Sequence, residues 1–205
     1  MKNINNKYEI RKPDKQNIFD IFKDEFKTKL PIESNLITYP GDFEGFADER
    51  VNWTIQQLDD INNKLVLDLG PFELGAAYMF NNAGANVISI ESNSLCYLKS
   101  LCVKDCFKLN NVELLYGDFN EYLKDNTIKF DLIFASGVLY HMLNPVETIK
   151  LISNATDKVF IWTHYYTENN IIQNLQIDSY EYESKIYNGA KQLYGEIVDT
   201  KMYCG

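Results

Sequence analysis

The chain has 205 residues, 45% hydrophobic and 24% charged, which suits one globular domain with a full core. Its formal net charge of −9 excludes a protein whose whole surface grips nucleic acid or anionic membrane, while leaving room for a local basic patch. No apolar run approaches the ~20 residues of a membrane span, and the polar start MKNINNKYEIRKPDK lacks a signal-peptide core. The reading is a cytoplasmic protein with no membrane partner.

Residues 1–63 read as an N-terminal helical extension. An amphipathic helix is expected over Asn17–Lys29, with Ile18, Phe22, Phe26 and Leu30 on one side. The stretch TYPGDFEGFADER (38–50) is rich in aromatics, acids and glycine; it is either surface turn chemistry or a lid near the first strand. A second helix, about 48–60, leads into that strand.

Residues 64–166 alternate strand and helix. Strands are expected at Lys64–Leu69, Asn86–Ile90, Val112–Tyr116, Phe130–Ala135 and Lys158–Thr163. Most are short, nearly continuous apolar runs, as parallel strands covered on both faces require. Helices fit roughly 73–83, 92–108, 119–125 and 145–154. Asn82-Ala83-Gly84 is a helix stop, and Asn144-Pro145 an N-cap followed by Pro at N1. The rhythm predicts an α/β fold, a doubly wound, Rossmann-like, mostly parallel sheet with helices on both faces.

Residues 167–205 form a C-terminal extension. Asn188-Gly189 lies between alternating segments and predicts a hairpin there. A complete doubly wound domain usually carries one or two further strands, so the chain reads as a fragment or a minimal version. Of Cys96, Cys102, Cys106 and Cys204, three fall on one helix and none forms a CxxC pair. Structural thiols, and no metal site, are expected.

In open parallel sheets ligands bind beyond the carboxyl ends of the strands. The first strand ends Asp68-Leu69-Gly70-Pro71. Gly70 permits a tight turn, Pro71 suits the first turn of a helix, and that helix N-terminus offers free amides. Glu91 follows the second strand 23 residues after Asp68, close to the spacing at which an acid takes both hydroxyls of a ribose. Asp118 follows the third strand and either accepts from an adenine amine or caps the next helix. Residues 70–75 read G-P-F-E-L-G, a GxGxxG with Phe72 at its middle glycine. That glycine lets backbone approach a pyrophosphate, so Phe72 disfavours NAD or FAD. The fourth strand is followed by Ser136-Gly137 and Tyr140-His141, the fifth by His164, Tyr165 and Tyr166. Two histidines past neighbouring strand ends make a candidate site, since imidazole titrates near neutrality and suits a base. No third ligand accompanies them, so they are not read as a metal site.

These segments resemble a known family, the class I S-adenosylmethionine-dependent methyltransferases. LVLDLGPFELG is similar to motif I, VISIES to the acidic second motif, LLYGDF to the third and FDLIFASGVLYHMLNP to the fourth. The last resembles most the branch containing the tRNA wobble-uridine carboxymethyl transferases. The resemblance implies S-adenosyl-L-methionine as cofactor, with Asp68, Gly70, Gly75, Glu91, Asp118 and Ser136 around it. It places Tyr140 and His141 near methyl transfer; His164 joins them mainly by position.

The expected function is methyl transfer to a small-molecule acceptor, favoured by the acidic balance and an aromatic rim of Tyr39, Phe43, Tyr140 and Tyr165. The alternatives are a tRNA-modifying transferase, with Lys99, Lys104 and Lys108 available to phosphates, and a non-catalytic methyltransferase-like binding module. A dinucleotide oxidoreductase is disfavoured by Phe72.

Overall fold

A computed structural model describes residues 8–164 and 175–192. Five strands form one parallel sheet: β3 (Leu65–Leu69), β4 (Asn86–Glu91), β5 (Val112–Tyr116), β6 (Leu132–Ser136) and β7 (Val159–Trp162). Their order is β5-β4-β3-β6-β7, so the chain reverses direction across the sheet between β3 and β6. This is the doubly wound arrangement that the sequence predicts, and its switch point is where such sheets bind ligands.

Helices cover both faces. Against one pack α3 (Gly75–Asn82), α4 (Ser94–Cys106) and α2 (Glu49–Gln56); against the other pack α5 (Phe119–Lys124) and α6 (Pro145–Ala155). Strand periodicity sorts the side chains. Val66, Val87, Leu132 and Phe134 join the first core, while Leu67, Leu69, Ile88, Ile90 and Ile133 join the second. Asp68 pairs in register with Ser89 and Phe134. Asp68, Ser89, Glu91 and Ser136 therefore share the first face, at the carboxyl end of the sheet.

The N-terminal extension is not simply helical. The helix expected over Asn17–Lys29 is only Lys15–Asp20 (α1), and Phe26–Thr28 is a strand, β1, paired in parallel with β2 (Pro40–Phe43). Between them Asp24 turns the chain at φ 70°. Phe19, Phe22, Phe26 and Leu30 all enter the first core, so burial demanded these apolar residues without requiring one helix. The second predicted helix holds as α2, capped by the Asp48 side chain, which accepts from the Arg50 N–H.

The C-terminal hairpin exists, between β8 (Leu175–Tyr182) and β9 (Lys185–Gln192), but its turn is not at Asn188-Gly189. Glu183 and Ser184 make it, with φ of 48° and 62°, the paired positive φ of a two-residue hairpin loop. Asn188 and Gly189 lie inside β9. No helix among the described residues is long and apolar enough to cross a membrane.

Candidate functional site

A cavity of about 500 Å³ opens at the carboxyl ends of β3, β4, β6 and β7. Asp68, Gly70, Phe72 and Glu91 line one part, Ser136, Tyr140, His141 and Trp162 another, and Phe43, Gly45, Asp48 and Arg50 of the extension a third. The stretch read as a surface turn or a lid thus forms a wall of the site.

The loop after β3 has an unusual path. Gly70 sits at φ 63°, and a Cβ there would lie 2.8 Å from Val138 Cγ1. Phe72 and Leu74 also have positive φ, 58° and 68°. α3 starts only at Gly75, so Pro71 precedes the helix rather than opening it. Phe72 therefore occupies the left-handed backbone that favours glycine. Its N–H donates to Glu91 Oε2 at 3.0 Å, and its carbonyl accepts from Ser100 Oγ at 3.2 Å. The Lys99 ammonium lies 5.3 Å from its ring centroid. Gly75 serves close packing: a Cβ there would stand 2.2 Å from the Gly45 carbonyl oxygen.

Glu91 accepts from Phe72 N–H through one oxygen and from Asn93 N–H, at 2.8 Å, through the other. Each oxygen keeps a further acceptor position, and Glu91 lines the cavity. Burial raises this carboxyl above the usual range, opposed by those backbone donors. Asp68 is 2% exposed. Burial pushes its carboxyl up to about 7, opposed by the Ser89 hydroxyl and reinforced by the Glu91 charge. The Ser136 hydroxyl borders the cavity, is buried and makes no hydrogen bond among the described residues.

At the other part, Tyr140 gathers both histidines. Its ring stands 4.3 Å from the His141 ring and stacks on His164 at 4.5 Å and 16°. Trp162 lies 6.3 Å from Tyr140 and 5.9 Å from His164. His141 lines the cavity; His164 stands behind Tyr140, outside the lining. Burial, and then the neighbouring His164, lower the His141 pKa.

Some expected residues lie elsewhere. Asp118 is outside the lining and caps α5, accepting from Asn120 N–H at 2.7 Å; Phe119 lines the cavity instead. Tyr39 borders a separate hollow beside α1 rather than the site rim, and Tyr165 lies outside the described residues. Lys99 is 2% exposed and so is no phosphate contact. It pairs with Glu73, which is 0% exposed and also accepts from the N–H groups of Lys27 and Thr28 and the Thr28 hydroxyl. This buried pair straps β1 to the loop after β3. The sequence reading missed it, as it missed Arg50; an acid and a lysine in otherwise apolar stretches were the available signal. The helix-borne Cys96 and Cys102 are free, and burial pushes their thiols up to about 12 and about 11, far from a reactive thiolate.

A family model described as a methyltransferase domain matches residues 63–202. The tRNA U34 carboxymethyltransferase of Helicobacter hepaticus is 33% identical over 84 residues, 40% of this chain and 25% of that protein. The chain thus spans about a quarter of the curated relative it matches. Among solved structures, EvdMO1 superposes with a TM-score of 0.61 at 15% identity, over 85% of this chain and 45% of that one. The N-terminal domain of EvdMO1, crystallised with SAH bound, gives 0.54 at 16% identity, over 70% of this chain and 65% of that one. At such identities the likeness is one of fold.

Proposed function

The chain belongs to the methyltransferase domain family, whose members depend on S-adenosylmethionine, and on that premise we propose that it methylates a small-molecule acceptor in the cavity beyond β3 and β6. One observation carries the reading: a single cavity joins the strand-end carboxylate of Glu91 to a cluster holding His141, Tyr140, Trp162 and Arg50.

The residues present fit the cofactor. Glu91 has acceptor capacity left for two ribose hydroxyls. Asp68, buried and paired with no cation among the described residues, suits a positively charged ligand. The Ser136 hydroxyl, without a partner among the described residues, is a donor at the strand end, and Gly70 leaves no side chain at the turn. S-adenosylmethionine, when bound, supplies a methyl group on a cationic sulfur. Asp68, Gly70, Glu91 and Ser136 hold it; Gly75 sets the loop by letting Gly45 approach.

His141 acts on the acceptor. Its lowered pKa keeps it neutral near pH 7, free to accept the proton that an acceptor hydroxyl or amine gives up. Tyr140 fixes the imidazole by packing against it, with His164 stacked behind. Alignment of the acceptor within the walled cavity supplies most of the remaining advantage.

A small acceptor is favoured because the extension walls the cavity with Phe43, Gly45 and Arg50. The net charge of −9 also opposes a long polyanion, and Lys99 is buried. The second reading, a transferase acting on a tRNA base, is favoured by the match to the tRNA U34 carboxymethyltransferase. We place the protein in the cytoplasm, where its free thiols stay reduced.

The experiment is incubation with methyl-labelled S-adenosylmethionine and two fractions of a cell extract. Label in the metabolite fraction supports the small acceptor; label in tRNA, with salt-sensitive tRNA binding, supports the second reading. Cofactor binding with label in neither would mark a binding module.

A further inference from the structure

The cavity wall contributed by the extension carries two cations, Lys27 and Arg50. Arg50 is the better placed. Its backbone N–H donates to Asp48 Oδ1 at 2.8 Å, Nε to both Asp48 oxygens at 2.9 and 3.0 Å, and Nη2 to Oδ2 at 2.6 Å. A guanidinium carries five N–H donors in a planar fork, and Asp48 occupies only the Nε–Nη2 edge. Nη1 makes no hydrogen bond among the described residues. The group is also met from a second direction, with Cζ 4.7 Å from the Trp162 ring centroid. Trp162 ends β7 beside Tyr140 and His164, so the guanidinium sits at the part of the cavity given to the acceptor.

The acids that line the cavity are otherwise engaged. Glu73 pairs with Lys99, Glu91 takes two backbone amides, and Asp68 is buried on β3. Among the described residues, Asp48 is the acid that pairs with Arg50. A guanidinium held on one edge by a carboxylate and set over an indole ring loses little freedom on meeting a ligand. Its remaining Nη1–Nη2 edge matches the two oxygens of a carboxylate or a phosphate.

We propose that Arg50 reads an anionic group, carboxylate or phosphate, on the acceptor, and that the acceptor's apolar body lies against Tyr140 and Trp162. This rests on the small-acceptor reading above and sharpens it to a small organic anion.

The test uses the whole chain saturated with S-adenosylhomocysteine, followed by NMR at the Trp162 indole N–H, which a Trp53→Phe variant assigns. Benzoate, phenyl phosphate and the neutral benzyl alcohol are the probes. The expected result is a saturable shift with either or both anions, about tenfold tighter than with benzyl alcohol (~1.4 kcal/mol). Arg50→Met should abolish that preference, and Arg50→Lys should keep part of it, while S-adenosylhomocysteine affinity stays unchanged in both. Equal binding of benzyl alcohol, no saturable shift with either anion at tens of millimolar, or an intact preference in Arg50→Met overturns the proposal and leaves the methyltransferase reading standing. A loss of S-adenosylhomocysteine affinity in Arg50→Lys also overturns it, by assigning Arg50 to the cofactor. Failure of the unaltered protein to bind S-adenosylhomocysteine would instead remove the reading beneath it.

Discussion

The backbone N–H of Phe72 donates to Glu91 Oε2 across 3.0 Å. The bond links the loop after β3 to the end of β4, and it forms because Phe72 holds φ at 58°. A side chain in that region costs of order 1 kcal/mol. The Lys99 ammonium over the ring and the Ser100 hydroxyl on the carbonyl offset this. The residue that breaks the glycine pattern thus follows the glycine path.

Phe72→Gly should therefore preserve the loop. We expect unfolding free energy within about 1 kcal/mol of the parent, as strain relief balances lost ring contact. S-adenosylhomocysteine affinity should stay within about threefold (~0.6 kcal/mol) by calorimetry. Abolished binding would show that the ring itself, not the backbone path, holds the ligand.

Glu73 and Lys99 form a buried pair between β1 and the loop after β3. Removing one partner strands a buried charge, so Glu73→Ala should lose roughly 3–5 kcal/mol in urea unfolding. The double variant Glu73→Gln with Lys99→Met should recover much of that, since no charge then stays unpaired. Additive losses would refute the pairing.

At Gly75 any side chain meets the Gly45 carbonyl oxygen. Gly75→Ala must push the extension away from α3, and we expect about 1–3 kcal/mol of destabilisation, the usual cost of overpacking. Cofactor affinity should fall as well, because Gly45 and its neighbours wall the cavity. Unchanged stability and affinity would mean that the two segments separate freely.

Asp68 gives a pH signature. Its folded pKa, about 7, lies above the usual value of 3.8, so the native state keeps a proton that the unfolded chain releases. Stability from this group therefore declines as pH rises from about 4 to about 7, then levels. At most roughly 4 kcal/mol is involved. The stability difference between the parent and Asp68→Asn, measured without cofactor, should fall across that window. A flat difference would show an ionised Asp68 throughout.

The sheet was legible because parallel strands buried on both faces write short apolar runs. β5 falls where the sequence placed it, and β4 differs by one residue. That Asp68, Glu91 and Ser136 would stand together at the strand ends, where they line the cavity, was legible from position alone. What failed was non-local. Phe22 and Phe26 keep a helical spacing, yet a turn at Asp24 and a strand bury them equally well. Lys99 looks like a solvated lysine until Glu73, 26 residues earlier, meets it in space. Arg50 acquires its setting only when α2 meets the end of β7. Asn188-Gly189 offered a turn, but the pairing of β8 with β9 put the turn at Glu183-Ser184.

Everything proposed for this cavity depends on Glu91 holding the cofactor. Calorimetric titration of the unaltered chain and of Glu91→Ala with S-adenosylhomocysteine tests it most directly. We predict one site per chain, weakened by about 10–100-fold in the variant (~1.4–2.8 kcal/mol), the scale of lost hydrogen bonds to a charged group. No binding to the unaltered chain at millimolar ligand, or equal affinity in the folded variant, would contradict the account.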